Sequence, residues 1–227
     1  MTTAAHTTPP RLLSGRTLGV LALALTALAI AVFAPLQYLL QPLQALASSG
    51  NEIATNYAPR PAWVRYVFLT HVVLAGTALL LSPIQLSGRL RARFPRVHRV
   101  TGRIVLVAIA VGGTAGFLLS WFNVAGAVGT AGFGLLAILW ITFAALGLRA
   151  ILRGDIVSHR AWMMRTFAMT YAAVTLRVWL IALIILLGDF YSAYLLVPFL
   201  SWVPNLIVVE LILRRRSRDR AVPTLVA

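Results

Sequence analysis

Long apolar stretches separated by short polar segments dominate this chain of 227 residues. Six of them are long enough to cross the ~30 Å hydrocarbon core of a bilayer, which takes about 20 helical residues. Strands in lipid must form a closed barrel of alternating segments, and these stretches do not alternate, so each of them predicts a helix. The predicted helices cover residues 18–40, 63–86, 104–121, 128–148, 162–187 and 194–213. The sequence therefore predicts an all-α bundle of six transmembrane helices.

The remaining segments are short and predict no further domain. We expect residues 1–17 to form a disordered tail, residues 18–213 the transmembrane domain, and residues 214–227 a basic tail. The first apolar stretch is longer than the roughly 7–15 apolar residues of a secretory signal, so we expect an uncleaved helix. Gly112, Gly116 and Ser120 recur at every fourth position of the third helix. Small residues at this spacing indicate close helix packing in lipid.

Composition and charge strengthen the membrane prediction. Hydrophobic residues make up 60% of the chain and charged residues 11%, against about 45–50% and about 25% in soluble domains. The basic residues are all Arg, and the formal net charge is +15. These Arg occur in clusters between apolar stretches and not on one face of a soluble domain, so we expect no nucleic-acid partner. The chain has no cysteine, which excludes disulfides and thiolate chemistry.

The distribution of Arg predicts the orientation. Seventeen of the 20 lie before the first helix, between the second and third, around the connection from fourth to fifth, or after the sixth. These segments share one side of a six-helix protein, and basic residues collect on the cytoplasmic side, so both termini are expected there, near anionic lipid headgroups. The three other Arg are Arg60 and Arg65, on the opposite side, and Arg177, inside the fifth helix.

Two ionisable residues lie deep within predicted helices. An ionisable group there costs about 2.5–3.5 kcal/mol on insertion scales, which makes His71 and Arg177 candidates for function. The helical rise places them at similar depth in the second and fifth helices. We hypothesise that these helices line one polar seam, with Gln85, His98 and His159 near its cytoplasmic mouth. A structural role stays open for both residues, with Arg177 held by backbone carbonyls or reaching outward and His71 hydrogen-bonded between helices.

His98 and His159 are compatible with one metal cofactor. A b-type haem needs imidazoles from two helices at the same depth, and both residues begin helices on the same predicted side. His71 has no histidine at its own depth, so a second haem is excluded. Contact with solvent or headgroups is the alternative for both residues. A further possible site near these two histidines would bind phosphate through guanidinium groups. Its residues would be Arg96, Arg99, Arg103, Arg160 and Arg165.

Three polar motifs follow one another along the chain. The first is Ser82-Pro83-Ile84-Gln85, following His71. The second runs from Arg91 to Arg99 and is followed by Gly102-Arg103; the third comprises Gly154-Asp155-Ile156, the run from His159 to Arg165, and Thr175-Leu176-Arg177. In this order they resemble a family of bacterial membrane proteins, domain of unknown function 2306. The resemblance covers residues 71–177 and implies a multi-helix protein of the bacterial inner membrane. It implies no reaction, but its characteristic polar positions are His71, His98, His159 and Arg177.

A second resemblance is to the six-helix, two-haem cytochromes that pass electrons from ascorbate across membranes. Helices three and five supply ligands of one haem in those proteins, which corresponds to His98 and His159 here. The fourth helix has no histidine to pair with His71. Three functions therefore stay open: a redox protein that binds one haem or a quinone, a carrier or binder of an anionic or amphiphilic small molecule, and a non-catalytic membrane component. Whether the protein is an enzyme also stays open.

Overall fold

The computed structural model describes residues 15–221. Within this range the chain is helical, with six segments long and apolar enough to cross a membrane, the last formed by two helices together. This confirms the predicted all-α class and six spans. The helices are α1 (Gly15–Leu40), α2 (Leu43–Ser48), α3 (Glu52–Tyr57), α4 (Ala62–Leu86), α5 (Gly88–Arg93), α6 (Pro95–Leu119), α7 (Gly126–Leu152), α8 (Ile156–Leu187), α9 (Phe190–Leu200) and α10 (Val203–Ala221).

The ends of the chain differ from the predicted domain boundaries. Residues 1–14 of the predicted disordered tail and residues 222–227 of the basic tail lie outside the described range. Helix α1 already begins at Gly15, and α10 continues to Ala221, beyond the predicted start of the basic tail at residue 214. We call the end of the bundle that contains α5 and the end of α10 the Arg-rich end, and the other the Arg-poor end.

The sixth predicted helix is divided at Ser201 and Trp202. Pro204 lies in the first turn of α10, where its missing N–H leaves no helical hydrogen bond unmade, so a new helix begins there. Helix α8 holds the break in place: the Thr175 hydroxyl donates to the Ser201 carbonyl. The Asn205 amide donates to the same carbonyl and to the Ala168 carbonyl, both at 3.1 Å.

The predicted loop over residues 41–62 contains α2 and α3 and packs on the Arg-poor end. Asn51 caps α3 by accepting a hydrogen bond from the Ala54 N–H at 2.9 Å. The Tyr57 ring at the end of α3 stacks on Phe68 of α4, with 4.4 Å between ring centroids. Leu43 and Leu46 of α2 are buried in the same apolar cluster. This connection therefore belongs to the packed structure.

Glycines allow the long helices to approach closely. Helix α4 packs against α1 and α6, and α7 packs against α6, α8 and α9. A Cβ atom on Gly112 would lie 2.9 Å from the Leu74 Cβ, and one on Gly132 would lie 2.5 Å from the Pro198 Cβ and 2.9 Å from the Pro198 carbonyl carbon. Only residues without a side chain fit these contacts.

We expect Gly132→Ala to destabilise the bundle by about 1–3 kcal/mol, because its methyl group would collide with the α9 backbone at Pro198. The measurement is the apparent melting temperature in detergent, which should fall by several degrees. Gly19→Ala in α1 is the matched control, since a Cβ there meets no atom within 4 Å. Equal melting temperatures for the two variants would contradict the proposed close contact.

Candidate functional site

A cavity of about 250 Å³ lies inside the half of the bundle nearer the Arg-poor end. Helices α1, α3, α4, α6, α7, α8 and α9 all contribute to its wall. We call it the central cavity. Most of its wall is apolar or aromatic, and the polar side chains that interrupt it are His71, Arg177, Tyr38, Tyr57, Tyr194, Ser120, Asn123 and Thr170. The structure thus brings His71 of α4 and Arg177 of α8 to one cavity.

His71 links α4 to α6. Its Nδ1 lies 2.8 Å from the Gly112 carbonyl oxygen, and because a carbonyl only accepts, Nδ1 carries the proton and donates. A Cβ atom on Gly116 would lie 2.7 Å from the imidazole, so the ring occupies the space that this glycine leaves. In the neutral ring Nε2 is then an acceptor, and it has no hydrogen-bond partner among the residues described. His71 therefore links two helices and also lines the cavity.

Arg177 of α8 contributes a guanidinium group to the wall of the same cavity. One Nη1–H donates to the Ala173 carbonyl of the same helix at 2.6 Å. A guanidinium has five N–H donors, and within residues 15–221 no other hydrogen bond of this group is made. A backbone carbonyl thus holds Arg177 as expected, but it satisfies one of the five donors.

None of the described carboxylates forms an ion pair with Arg177. Asp155 and Asp189 cap α8 and α9 by accepting from the N–H groups of Ser158 and Ser192 at 2.9 and 2.8 Å. The side chain and backbone of Ser158 lower the pKa of the exposed Asp155 carboxyl group, and the backbone and side chain of Ser192 lower that of Asp189. Glu210 forms the one ion pair of the described residues, with Arg165. Glu52 begins α3 and makes no ion pair there, so Arg177 lacks a described counter-charge.

Three tyrosines also line the central cavity, and the sequence did not single them out. Tyr38 comes from α1, Tyr57 from α3 and Tyr194 from α9. Burial raises the pKa of Tyr57 to about 12, against the effect of the Arg60 charge, so its hydroxyl stays protonated. Aromatic residues near helix ends are ordinary in membrane proteins, and nothing in their spacing indicates that α1, α3 and α9 converge.

The other predicted polar positions lie outside the central cavity. The Gln85 amide of α4 donates to Thr101 Oγ1 at 2.5 Å and to the His98 carbonyl at 3.2 Å, which joins α4 to α6. His159 Nδ1 donates to the Gly147 carbonyl at 2.8 Å, which joins α8 to α7. His98 Nδ1 is buried and has no hydrogen-bond partner in the part of the chain described. Neither His98 nor His159 is part of the cavity wall.

The Arg residues proposed for a phosphate site are not equivalent. Arg165 pairs with Glu210 through two hydrogen bonds of 2.5 and 2.9 Å, and its guanidinium lies 4.6 Å from the Trp162 ring centroid. Its charge is therefore already compensated. The other four are exposed at the Arg-rich end, as expected of side chains that contact solvent or headgroups, namely Arg96, Arg99, Arg103 and Arg160.

These features define a polytopic helical membrane protein with a partly polar cavity between its helices. The chain belongs to a family of predicted membrane proteins, domain of unknown function 2306, which it matches over residues 68–213. This confirms the family resemblance. No curated protein and no solved structure matches the chain. The family match includes His71 and Arg177 and leaves out α1 to α3, which supply Tyr38 and Tyr57 to the cavity.

We expect Thr170→Val to destabilise the protein by about 1–3 kcal/mol, because the buried Trp140 indole N–H donates to Thr170 Oγ1 at 2.8 Å and would lose its acceptor. The measurement is again the melting temperature in detergent. Thr114→Val is the matched control, since the exposed Thr114 hydroxyl bonds only the Ala110 carbonyl of its own helix. Equal shifts in the two variants would show that the Trp140 bond contributes nothing.

Proposed function

We propose that this protein binds a small anionic or amphiphilic molecule in the central cavity, with Arg177 as its charge partner. The observation that carries the proposal is the Arg177 guanidinium, which lies on the cavity wall with no described carboxylate to neutralise it. If the bound molecule crosses the membrane, the protein is a carrier. If it does not, the protein is a receptor or storage site.

The surroundings of Arg177 favour a bound anion on energetic grounds. A charge inside a membrane protein is stable only if it is paired or hydrogen-bonded, because the interior solvates it poorly. Here the described residues supply one carbonyl and leave most of the guanidinium donors to other partners. A carboxylate or phosphate would satisfy several of these donors through charge-assisted hydrogen bonds.

Cavity size and lining indicate the chemical class of the ligand. The volume of about 250 Å³ exceeds the ~150 Å³ of an engineered cavity that binds benzene. The wall is mainly apolar, and Arg177 is its one charged group among the described residues. These properties favour a small acid with one ring or a short chain. Nε2 of His71 would accept a hydrogen bond or a proton from a ligand hydroxyl or from an acid that enters protonated.

We expect Arg177→Met to lower the affinity for 3-phenylpropionate about tenfold or more, because a hydrogen bond to a charged group contributes about 1.5–3 kcal/mol. The uncharged analogue 3-phenylpropan-1-ol, of similar shape, should bind wild type and variant about equally. Both affinities are measurable by isothermal titration calorimetry of the protein in detergent.

Arg153→Met is the matched control for this experiment, because Arg153 is exposed at the Arg-rich end and removing it also lowers the net charge by one. It should bind the acid as the wild type does. The proposal is wrong if a folded wild-type protein prefers the alcohol, or if Arg177→Met retains the preference for the acid.

A second candidate function is the binding of one b-type haem by His98 and His159. The observation in its favour is the buried His98 Nδ1, which has no hydrogen-bond partner within the described range. His159 donates through Nδ1, so its Nε2 is available as a ligand in the neutral ring. The described residues contain no group of three or more metal-ligating side chains of the kind a zinc site needs.

If the protein binds haem, it should be coloured. Protein purified after expression with added haem should show a Soret band and, after reduction with dithionite, an α band, and His98→Ala or His159→Ala should remove both. His71→Ala should leave the spectrum unchanged, because His71 lies in the central cavity. A colourless wild-type protein under these conditions excludes this candidate.

The distribution of Arg supports an orientation of the protein in the membrane. Because seventeen of the 20 Arg lie in the sequence segments predicted for one side, we propose that the Arg-rich end faces the cytoplasm of a bacterial cell, with the protein in the inner membrane. The exposed Arg at this end would then contact anionic headgroups. In this orientation the central cavity lies in the half of the membrane farther from the cytoplasm.

A further inference from the structure

A second cavity lies at the surface of the Arg-poor end. Its volume is about 270 Å³, and it is formed where the end of α1 and the start of α2 meet the start of α4. We call it the vestibule. Its lining is more polar than that of the central cavity and includes Tyr38, Gln41, Gln44, Arg65, Tyr66 and Leu69.

Tyr38 lines both the vestibule and the central cavity. Its ring meets Phe68 of α4 edge-on, with 4.9 Å between ring centroids. Phe68 is in turn stacked on Tyr57. The two cavities are therefore neighbours, and a single aromatic side chain contributes to the walls of both.

Positive charge marks both cavities. Arg65 lines the vestibule and Arg177 lines the central cavity. They are two of the three Arg that lie outside the segments predicted for the cytoplasmic side. The third, Arg60, is held by the Asn56 carbonyl and amide oxygens and lies 5.7 Å from the Phe122 ring centroid, so its role is structural. An anion would meet a cation first at the surface and again at depth, which favours its inward passage.

We propose that the vestibule is the entrance to the central cavity and that the Tyr38 ring is its gate. This inference rests on the proposed function, because it needs a ligand bound at Arg177. The ligand is a small amphiphilic anion that comes from the aqueous side, since Gln41, Gln44 and Arg65 give the vestibule polar groups that an apolar molecule from the lipid core could not satisfy. Movement of the Tyr38 side chain then limits both the entry and the exit of the ligand.

Stopped-flow tryptophan fluorescence tests this inference, because Trp140 lines the central cavity and reports binding of 3-phenylpropionate. We expect Tyr38→Ala to raise the association and dissociation rates together, each about tenfold, with a much smaller change in the dissociation constant, as for removal of a gate. Tyr38→Phe keeps the ring and should restore slow rates. Tyr191→Ala removes an exposed tyrosine of α9 that lines neither cavity, so it should have wild-type rates.

Arg65→Gln provides an independent measurement that does not depend on the folding of the Tyr38 variants. It should lower the association rate and weaken its salt dependence, while the dissociation rate stays close to that of the wild type. If wild type binds the acid but Tyr38→Ala and Arg65→Gln both keep wild-type rates, the entrance is elsewhere and the proposed function stands. If wild type does not bind the acid at equilibrium, the proposed function fails first.

Discussion

The need to stabilise one guanidinium inside an apolar bundle is the constraint on which the site depends. Helix α8 contains three Arg, of which Arg160 is exposed, and the other two meet this need in different ways. Arg165 has a carboxylate from α10 and an aromatic face from Trp162, so the protein itself compensates its charge. Arg177, three turns further along, has one backbone carbonyl and a cavity. One helix therefore carries a cation paired within the protein toward the Arg-rich end and a second cation, without a described counter-charge, toward the other.

Glycine and histidine together build much of the interhelical geometry. His71 donates to the carbonyl of Gly112 and fits against Gly116, while His159 donates to the carbonyl of Gly147. In both cases an imidazole crosses to a neighbouring helix at a position without a side chain, where the backbone can be reached. The first pair connects α4 to α6 beside the cavity, and the second connects α8 to α7. The rings are thereby fixed in orientation, which is a requirement for a precise binding site as much as for packing.

The sequence predicted the spans and the two deep polar residues, because hydropathy and helical rise are local properties of the chain. The same reasoning placed His71 and Arg177 at similar depth, and the structure brings them to one cavity. It did not predict that Tyr38, Tyr57 and Tyr194 join them, since this depends on how α1, α3 and α9 pack against the bundle. The sequence also predicted an uninterrupted sixth helix through Ser201, although Pro204 favours the start of a new helix there. A tertiary arrangement, unlike a span, leaves no periodic signal in the residues that form it.

The family match begins at residue 68 and so leaves out α1 and α3, which contribute to the wall of the central cavity. His71 and Arg177 lie within the matched residues, whereas Tyr38, Ile53 and Tyr57 come from the preceding ones. The charged group and this part of the wall therefore belong to different segments of the chain. Substitutions in α1 or α3 can change the shape of the cavity without changing Arg177 itself.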